Sequence, residues 1–184
     1  MKTLQDHFLI AMPSMSDPNF DGTVTYLCKH NHEGALGIIV NRPLDMQVAE
    51  VFEQLDFEIL DQRQAEQAVL GGGPVQTSMG FVLHQAEQPF DSTLDTDAAI
   101  KVTISQDILR AMASGRGPWP SVVALGYAGW EAGQLEAEMA ANAWLSVPAS
   151  PDIIFDTPFD QRWAAAAGLL GVNISQLTSY AGHA

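Results

Sequence analysis

TVTYLCKHNHEGALGIIVNRPLDMQVAEVFEQL, residues 23–55, is the stretch that decides the fold class. Residues 23–30 are rich in β-branched and aromatic side chains, and residues 35–40 form an apolar run of strand length. The turn-forming residues 31–34 lie between them, so the pair predicts a β-hairpin. Ala35, Leu36, Ile38, Ile39 and Val40 barely alternate with polar residues, which predicts a second strand buried on both faces. Asn41, Arg42, Pro43, Leu44 and Asp45 then read as a loop, with Asp45 placed to cap a helix. Val48, Val51, Phe52 and Leu55 follow at i, i+3, i+4 and i+7, which at 3.6 residues per turn is one apolar helix face. Two antiparallel strands followed by one helix do not make a βαβ unit.

The rest of the chain keeps this irregular order. Residues 7–12 predict a first strand closed by Pro13, and SMSDPNF after it reads as a loop. Residues 57–67 are polar, a loop or a frayed helical extension. Residues 68–70 run into Gly71, Gly72, Gly73 and Pro74. Residues 80–84 and 100–104 predict strands. Ser105 is placed as an N-cap, with Ile108, Leu109 and Met112 on one helix face and Gly115 as the stop. Residues 121–125 predict a buried strand. GYAGW, residues 126–130, reads as a turn into a helix over 131–142, with Ala132, Leu135 and Met139 on one face. Residues 144–147 and 152–155 predict short strands. Thr157 then caps a last helix with Pro158 at its first position, ending near Gly168 or Gly171. Strict alternation of strand and helix is absent, which disfavours a doubly wound nucleotide fold. The expectation is an α+β fold with a mixed sheet, open or barrel-like, and helices around it. No repeat or linker-like stretch divides residues 1–184, which predicts one domain.

Composition narrows the function classes. A chain of 184 residues buries roughly 70% of its unfolded surface, enough for a core without disulfide or metal staples. Hydrophobic residues make up 47% and charged residues 16%, which excludes disordered and fibrous classes. Eight basic against 22 acidic residues give a net charge of −14. The bases are scattered with no run or helical stripe, so direct nucleic-acid binding is disfavoured. The single cysteine, Cys28, rules out an intramolecular disulfide and fits a reducing compartment. The N-terminal residues lack a signal-peptide pattern. The apolar run over 163–172 falls short of the roughly 20 residues that span a bilayer. A cytoplasmic chain with no membrane partner is expected.

Several residues carry chemistry that has to be weighed against a structural role. Gly71, Gly72, Gly73 and Pro74 could bring backbone N–H groups up to an anion. No Lys-Ser or Lys-Thr follows them, and a tight turn explains them equally well. Cys28, His30 and His32 are spaced by two and would share a face on a continuous strand, but His32 falls in the predicted turn; no metal site is expected. Arg42, just beyond a buried strand, could hold an anionic ligand, or could bond carbonyls as a structural arginine. His84 at a strand end is titratable, and a satisfied, partly buried histidine is the plainer reading. Asp156 and Thr157 read as the end of a strand and the start of a helix. That places free N–H groups beside a carboxylate, although capping accounts for both residues. Neither GxSxG nor HExxH occurs.

FLIAMPSMSDPNF, TVTYLCKHNHEGALGIIVNRP, LGGGPVQTSMGFVLH, VALGYAGWEAGQLEAEMAANAWL and IIFDTPFDQRW, in this order over nearly the whole chain, resemble the YqgE/AlgH family of bacterial proteins, also called UPF0301 or DUF179. The resemblance implies an α+β fold whose bifurcated sheet curls into a pseudo-barrel flanked by helices. It assigns no catalytic residues and no cofactor. Some members are described as regulators of alginate production or virulence genes. The resulting expectation is a non-enzymatic regulatory or interaction protein with a protein partner or a small anionic ligand. Its site would be built from Asn41, Arg42, Pro43, Gly71, Gly72, Gly73, Pro74, Asp156 and Thr157. The alternative is a nucleotide- or phosphoester-processing enzyme on the same loops, with Asp156 or His84 as acid/base.

Overall fold

A computed structural model describes residues 2–94, 97–171 and 176–177. In chain order the strands are β1 (His7–Ala11), β2 (Val24–Asn31), β3 (Gly34–Ile39), β4 (Pro43–Gln47), β5 (Ala68–Gly71), β6 (Val75–His84), β7 (Lys101–Thr103), β8 (Ser121–Glu131) and β9 (Trp144–Pro148). The helices are α1 (Val48–Gln54), α2 (Gln62–Ala65), α3 (Gln106–Ala113), α4 (Gln134–Ala140), α5 (Pro151–Phe155) and α6 (Arg162–Gly168), with a 3-10 turn at Phe159–Gln161.

The predicted hairpin is present. β2 and β3 pair antiparallel through a turn at His32 and Glu33, with Asn31 opposite Gly34. A register shift between Leu27 and Lys29 makes Cys28 a bulge. From this hairpin the sheet extends in the order β4-β5-β8-β3-β2-β1-β9, while β6 and β7 branch off at β8.

β8 is the branching strand. Its first half runs parallel to β5, with Leu70 opposite Ala124, and antiparallel to β6, with His84 opposite Ser121. Its second half pairs with β3, from Gly37 opposite Ala128 to Gly34 opposite Glu131. Gly126 takes φ +80° between the two halves, a conformation that favours glycine. The sheet is therefore mixed, bifurcated and flanked by helices. Its outermost strands on this path, β4 and β9, do not pair, so it is not closed into a barrel.

The structure corrects or sharpens several local readings. GYAGW is the second half of β8, because β3 supplies hydrogen-bonding partners that a local turn would not need. The following helix starts only at Gln134, with Gly133 at its N-cap. The loop at 41–45 becomes β4 from Pro43 onward, and the helix after it is entered through Gln47 rather than Asp45: the Gln47 N–H donates to Glu50 Oε2 at 2.8 Å. Residues 57–67 contain α2, capped by Asp61. Residues 151–155 are helical, with Pro151 at the helix start, where its missing N–H removes no helical bond.

Burial follows three groups. Phe8, Tyr26, Ile38, Leu83, Ile154 and Ala166 form a cluster between the sheet and α5 and α6. Val48, Phe52, Val82, Ile108, Met112 and Val123 pack α1 and α3 on β6 and β8. Leu9, Leu27, Trp130, Leu135 and Trp144 pack beneath α4. Among the described residues no helix is long and apolar enough to cross a membrane.

Candidate functional site

Two of the three predicted loops come together. Asn19, Ile39, Arg42, Leu44, Gly71, Gly73 and Pro74 line a cavity of 220 Å³. The chain leaves β3 at Asn41, whose Oδ1 accepts from the Val24 N–H and whose Nδ2 donates to the Gly22 carbonyl, both at 2.9 Å. Arg42 donates from Nη1 to the Asn19 carbonyl and from Nη2 to the Asp21 carbonyl, each at 2.7 Å. These are the bonds of an arginine that ties down a loop. Pro43 opens β4 opposite Leu70. Two of the glycine N–H groups also point into the protein: Gly71 donates to the Arg42 carbonyl at 2.8 Å and Gly72 to the Leu125 carbonyl at 2.7 Å.

Crowding explains the glycines. A Cβ on Gly72 would stand 2.4 Å from the Gly126 carbonyl oxygen. Gly73 has φ +154°, and a Cβ there would stand 2.1 Å from the Tyr127 carbonyl carbon. The Gly-rich turn is thus the place where the chain crosses the bend of β8 at backbone-to-backbone distance.

The third loop has a different setting from the one its sequence predicts. Asp156 ends α5, a helix and not a strand, and is exposed. Thr157 Oγ1 donates back to the Asp152 carbonyl at 3.1 Å, so it caps nothing that follows. Pro158 precedes the 3-10 turn.

The titratable candidates separate as well. Cys28 is buried, its Sγ lies 3.8 Å from the Tyr26 carbonyl, and burial pushes its pKa up. His30 is buried and accepts from the Leu4 N–H at Nδ1 (2.9 Å), so its Nε2 carries the proton that meets Glu136 Oε1 at 2.7 Å. His32 is exposed in the hairpin turn. His84 is fully buried, with Nε2 2.8 Å from Thr103 Oγ1 and its ring edge-on to Phe90 at 5.6 Å. Burial, with Lys101 nearby, moves its pKa down and keeps the ring neutral. Among the described residues no group of three or more His, Cys, Asp or Glu side chains could hold a metal ion.

A different surface has the shape of a site. A groove of 510 Å³ runs between α1, α3 and the edge of β6. Met46, Val51, Leu55, Val82, Leu109, Val123 and Leu125 bring apolar side chains of the α1–α3 cluster to it, and Met79, Phe81 and Ile104, which pack with the cluster on the other face of the sheet, also line it. Gln54, Thr77, Ser78, Thr103, Ser105 and Gln106 add neutral polar groups, and among the described residues none that lines the groove is titratable. Such a lining can bind an apolar segment and donate or accept hydrogen bonds. Asp107, in the first turn of α3, follows the lining residues Ser105 and Gln106. Burial acts to raise its pKa, but hydrogen bonds from Ser105 Oγ and from the Asp91 and Ile108 N–H groups outweigh that and hold the carboxyl below the usual range.

Sequence reading missed this groove because its residues come from four segments, and only folding brings them together. Met46 and Met79 were the available signal, since methionine suits adaptable apolar surfaces. It also passed over Arg162, the one buried arginine among the described residues.

Comparison with known proteins agrees with the fold. The family model described as AlgH-like matches residues 8–175. A UPF0301 protein of Pseudomonas paraeruginosa is 53% identical over 182 residues, covering 98% of this chain and 96% of that protein. The UPF0301 protein AlgH of Pseudomonas aeruginosa is likewise 53% identical over 182 residues, with the same coverage. The solution structure of AlgH from Pseudomonas aeruginosa superposes with a TM-score of 0.81 at 52% identity, covering 100% of both chains. A crystal structure of a protein from Corynebacterium diphtheriae shares the fold at 19% identity, with a TM-score of 0.68 over 90% of this chain and 86% of that one.

Proposed function

This chain belongs to the AlgH-like family, and on that premise we propose that it is a cytoplasmic regulatory protein that works by holding a partner protein, with no chemistry of its own. The observation that carries this reading is the groove between α1, α3 and β6, 510 Å³ in volume and lined, among the described residues, without a titratable side chain. The partner fitted to it presents an apolar segment with basic flanks. The chain carries a net charge of −14, and α1 beside the groove bears Glu50 and Glu53 with no basic residue. Any effect on transcription then runs through that partner, since the same charge repels bare DNA.

The alternative of a nucleotide- or phosphoester-processing enzyme has less support. It needs Arg42, Gly71 and Gly72 to present donors to a phosphate, and those donors bond to carbonyls of the protein itself.

The test compares wild-type protein with Val51→Glu, a charge placed on the α1 side of the groove at a half-buried position, in affinity capture from a bacterial lysate. The expected result is a partner retained by the wild type and lost by the variant while the variant melts as a folded protein. Equal capture by both would remove the groove as the docking surface. A rise of several degrees in melting temperature with a nucleotide, about what a ligand at a hundred times its dissociation constant produces, would favour the enzyme.

A further inference from the structure

We propose that the cavity beside Arg162 is a binding site for a small aromatic carboxylate of one ring, separate from the partner groove. Arg162 begins α6 and is only 4% exposed. Its Nη1 donates to the Val40 carbonyl at 2.6 Å, and its Nε donates to the Thr157 carbonyl at 2.8 Å. Among the described residues Nη2 has no hydrogen-bond partner, and no carboxylate stands within 4.0 Å of the guanidinium. Burial lowers its pKa to about 10, so it is still a cation at neutral pH. A buried cation with no counter-charge is costly, which is why such groups are normally paired. In a chain with 22 acidic residues against eight basic ones, an arginine left without a carboxylate is out of keeping with the composition.

Arg162 lines a cavity of 290 Å³, together with Gln67, Trp119, Ser121, Phe155 and Phe159 among others, and among the described residues none that lines it is acidic. Three of these walls are aromatic. The Phe159 ring lies 4.5 Å from the Arg162 guanidinium carbon. Trp119, 45% exposed, stands where the cavity meets solvent, and the guanidinium of Arg63 stacks on its ring at 3.8 Å. A second cation therefore sits beside the opening.

Size and charge select the ligand class. Benzene occupies a cavity of about 150 Å³, so this one takes a single ring with a charged substituent and is too small for a dinucleotide. Inside the cavity the one buried cation balances one negative charge, while Arg63 is exposed to solvent at the rim. A carboxylate meets that condition, whereas a phosphate dianion would bring a second charge to a site whose remaining donor nitrogen is Nη2. The aromatic walls give a flat ring edge-to-face and stacked contacts that an aliphatic acid could not make.

The test is an NMR titration of the full chain with sodium benzoate, benzamide and inorganic phosphate, read at the Arg162 Nε–H and Trp119 indole N–H signals. Benzoate is expected to move both signals saturably, with benzamide, the neutral analogue, binding about tenfold or more weakly because it loses the charge-assisted bond. Trp119→Ala, at a 45% exposed position and with its fold checked by melting, is expected to weaken benzoate by a similar factor. Arg162→Lys is expected to weaken it further, and Trp119→Ala is the deciding variant if the lysine variant does not fold. No saturable shift with benzoate up to about 20 mM, weaker than any useful millimolar affinity, would overturn the proposal. So would equal binding of benzamide, equal binding of inorganic phosphate, or undiminished binding by Trp119→Ala.

Discussion

Gly72 and Gly126 meet so closely that a Cβ on Gly72 would lie 2.4 Å from the Gly126 carbonyl oxygen. This contact is where the sheet forks. β8 bends at Gly126, and the turn between β5 and β6 has to pass over the bend without side chains. Gly72→Ala is therefore expected to destabilise the protein by about 1–3 kcal/mol, a fall of roughly 2–12 °C in melting temperature. Gly80→Ala, where a Cβ would meet nothing within 4 Å, is the control and should stay within about 0.5 kcal/mol of wild type.

Arg42 ties residues 19 and 21 to the end of the hairpin through two carbonyl bonds of 2.7 Å. Arg42→Ala should lower stability by about 1–3 kcal/mol, the worth of hydrogen bonds from a charged donor that is half-buried. Amide exchange should accelerate first at residues 19–24. An unchanged melting temperature together with the loss of binding to an anionic ligand would return Arg42 to a binding role.

Trp130 and Trp144 both donate their indole N–H to one oxygen, Glu138 Oε2, at 2.8 Å each. Both indoles are buried, and their rings pack edge-on with centroids 6.1 Å apart. Glu138→Ala leaves two donors without their acceptor, at about 1–3 kcal/mol for each. Urea unfolding followed by tryptophan fluorescence should show a lower midpoint, and Glu138→Gln should recover part of the loss.

The His30 hydrogen bond holds the Glu136 carboxyl below the ordinary glutamate range. A carboxyl whose pKa is depressed by folding stabilises the protein above the unfolded value, near 4.3, and this contribution fades as pH falls through the folded value. The stability gap between wild type and Glu136→Gln should therefore be present at pH 7 and close below about pH 4. The gap stays under about 1 kcal/mol, because the carboxylate side chain is 40% exposed and solvent screens the pair. A gap that widens in acid would contradict the assignment.

Cys28 is buried and its pKa is raised, so little thiolate exists at neutral pH. Thiol reagents should modify it slowly in the native protein and at the rate of a free thiol in denaturant. Fast native labelling would place it at an opening that this packing does not show.

Periodic segments were legible from sequence. The hairpin over 23–40 and the helix carrying Val48, Val51, Phe52 and Leu55 needed only their own residues, because each buries one face along one period. The errors fell where local propensity and long-range pairing disagree. GYAGW has the composition of a turn, yet β3 pairs with it, and 152–155 has the composition of a strand, yet Pro151 starts a helix there. Asp156 and Thr157 were misplaced for the same reason, since their reading depended on a strand before them.

Sequence alone determined the α+β class, the acidic character, the lone thiol and the glycine-rich turn, all of which depend on residue type and near spacing. Tertiary structure alone decided what those residues do. It turned Arg42 and the N–H groups of Gly71 and Gly72 toward carbonyls of the protein, gathered the neutral groove from four segments, and buried Arg162 without a carboxylate partner among the described residues. The physical reason is range. Helix and strand periods are set by neighbours along the chain, whereas hydrogen-bond satisfaction and charge compensation depend on which distant backbone arrives beside a side chain.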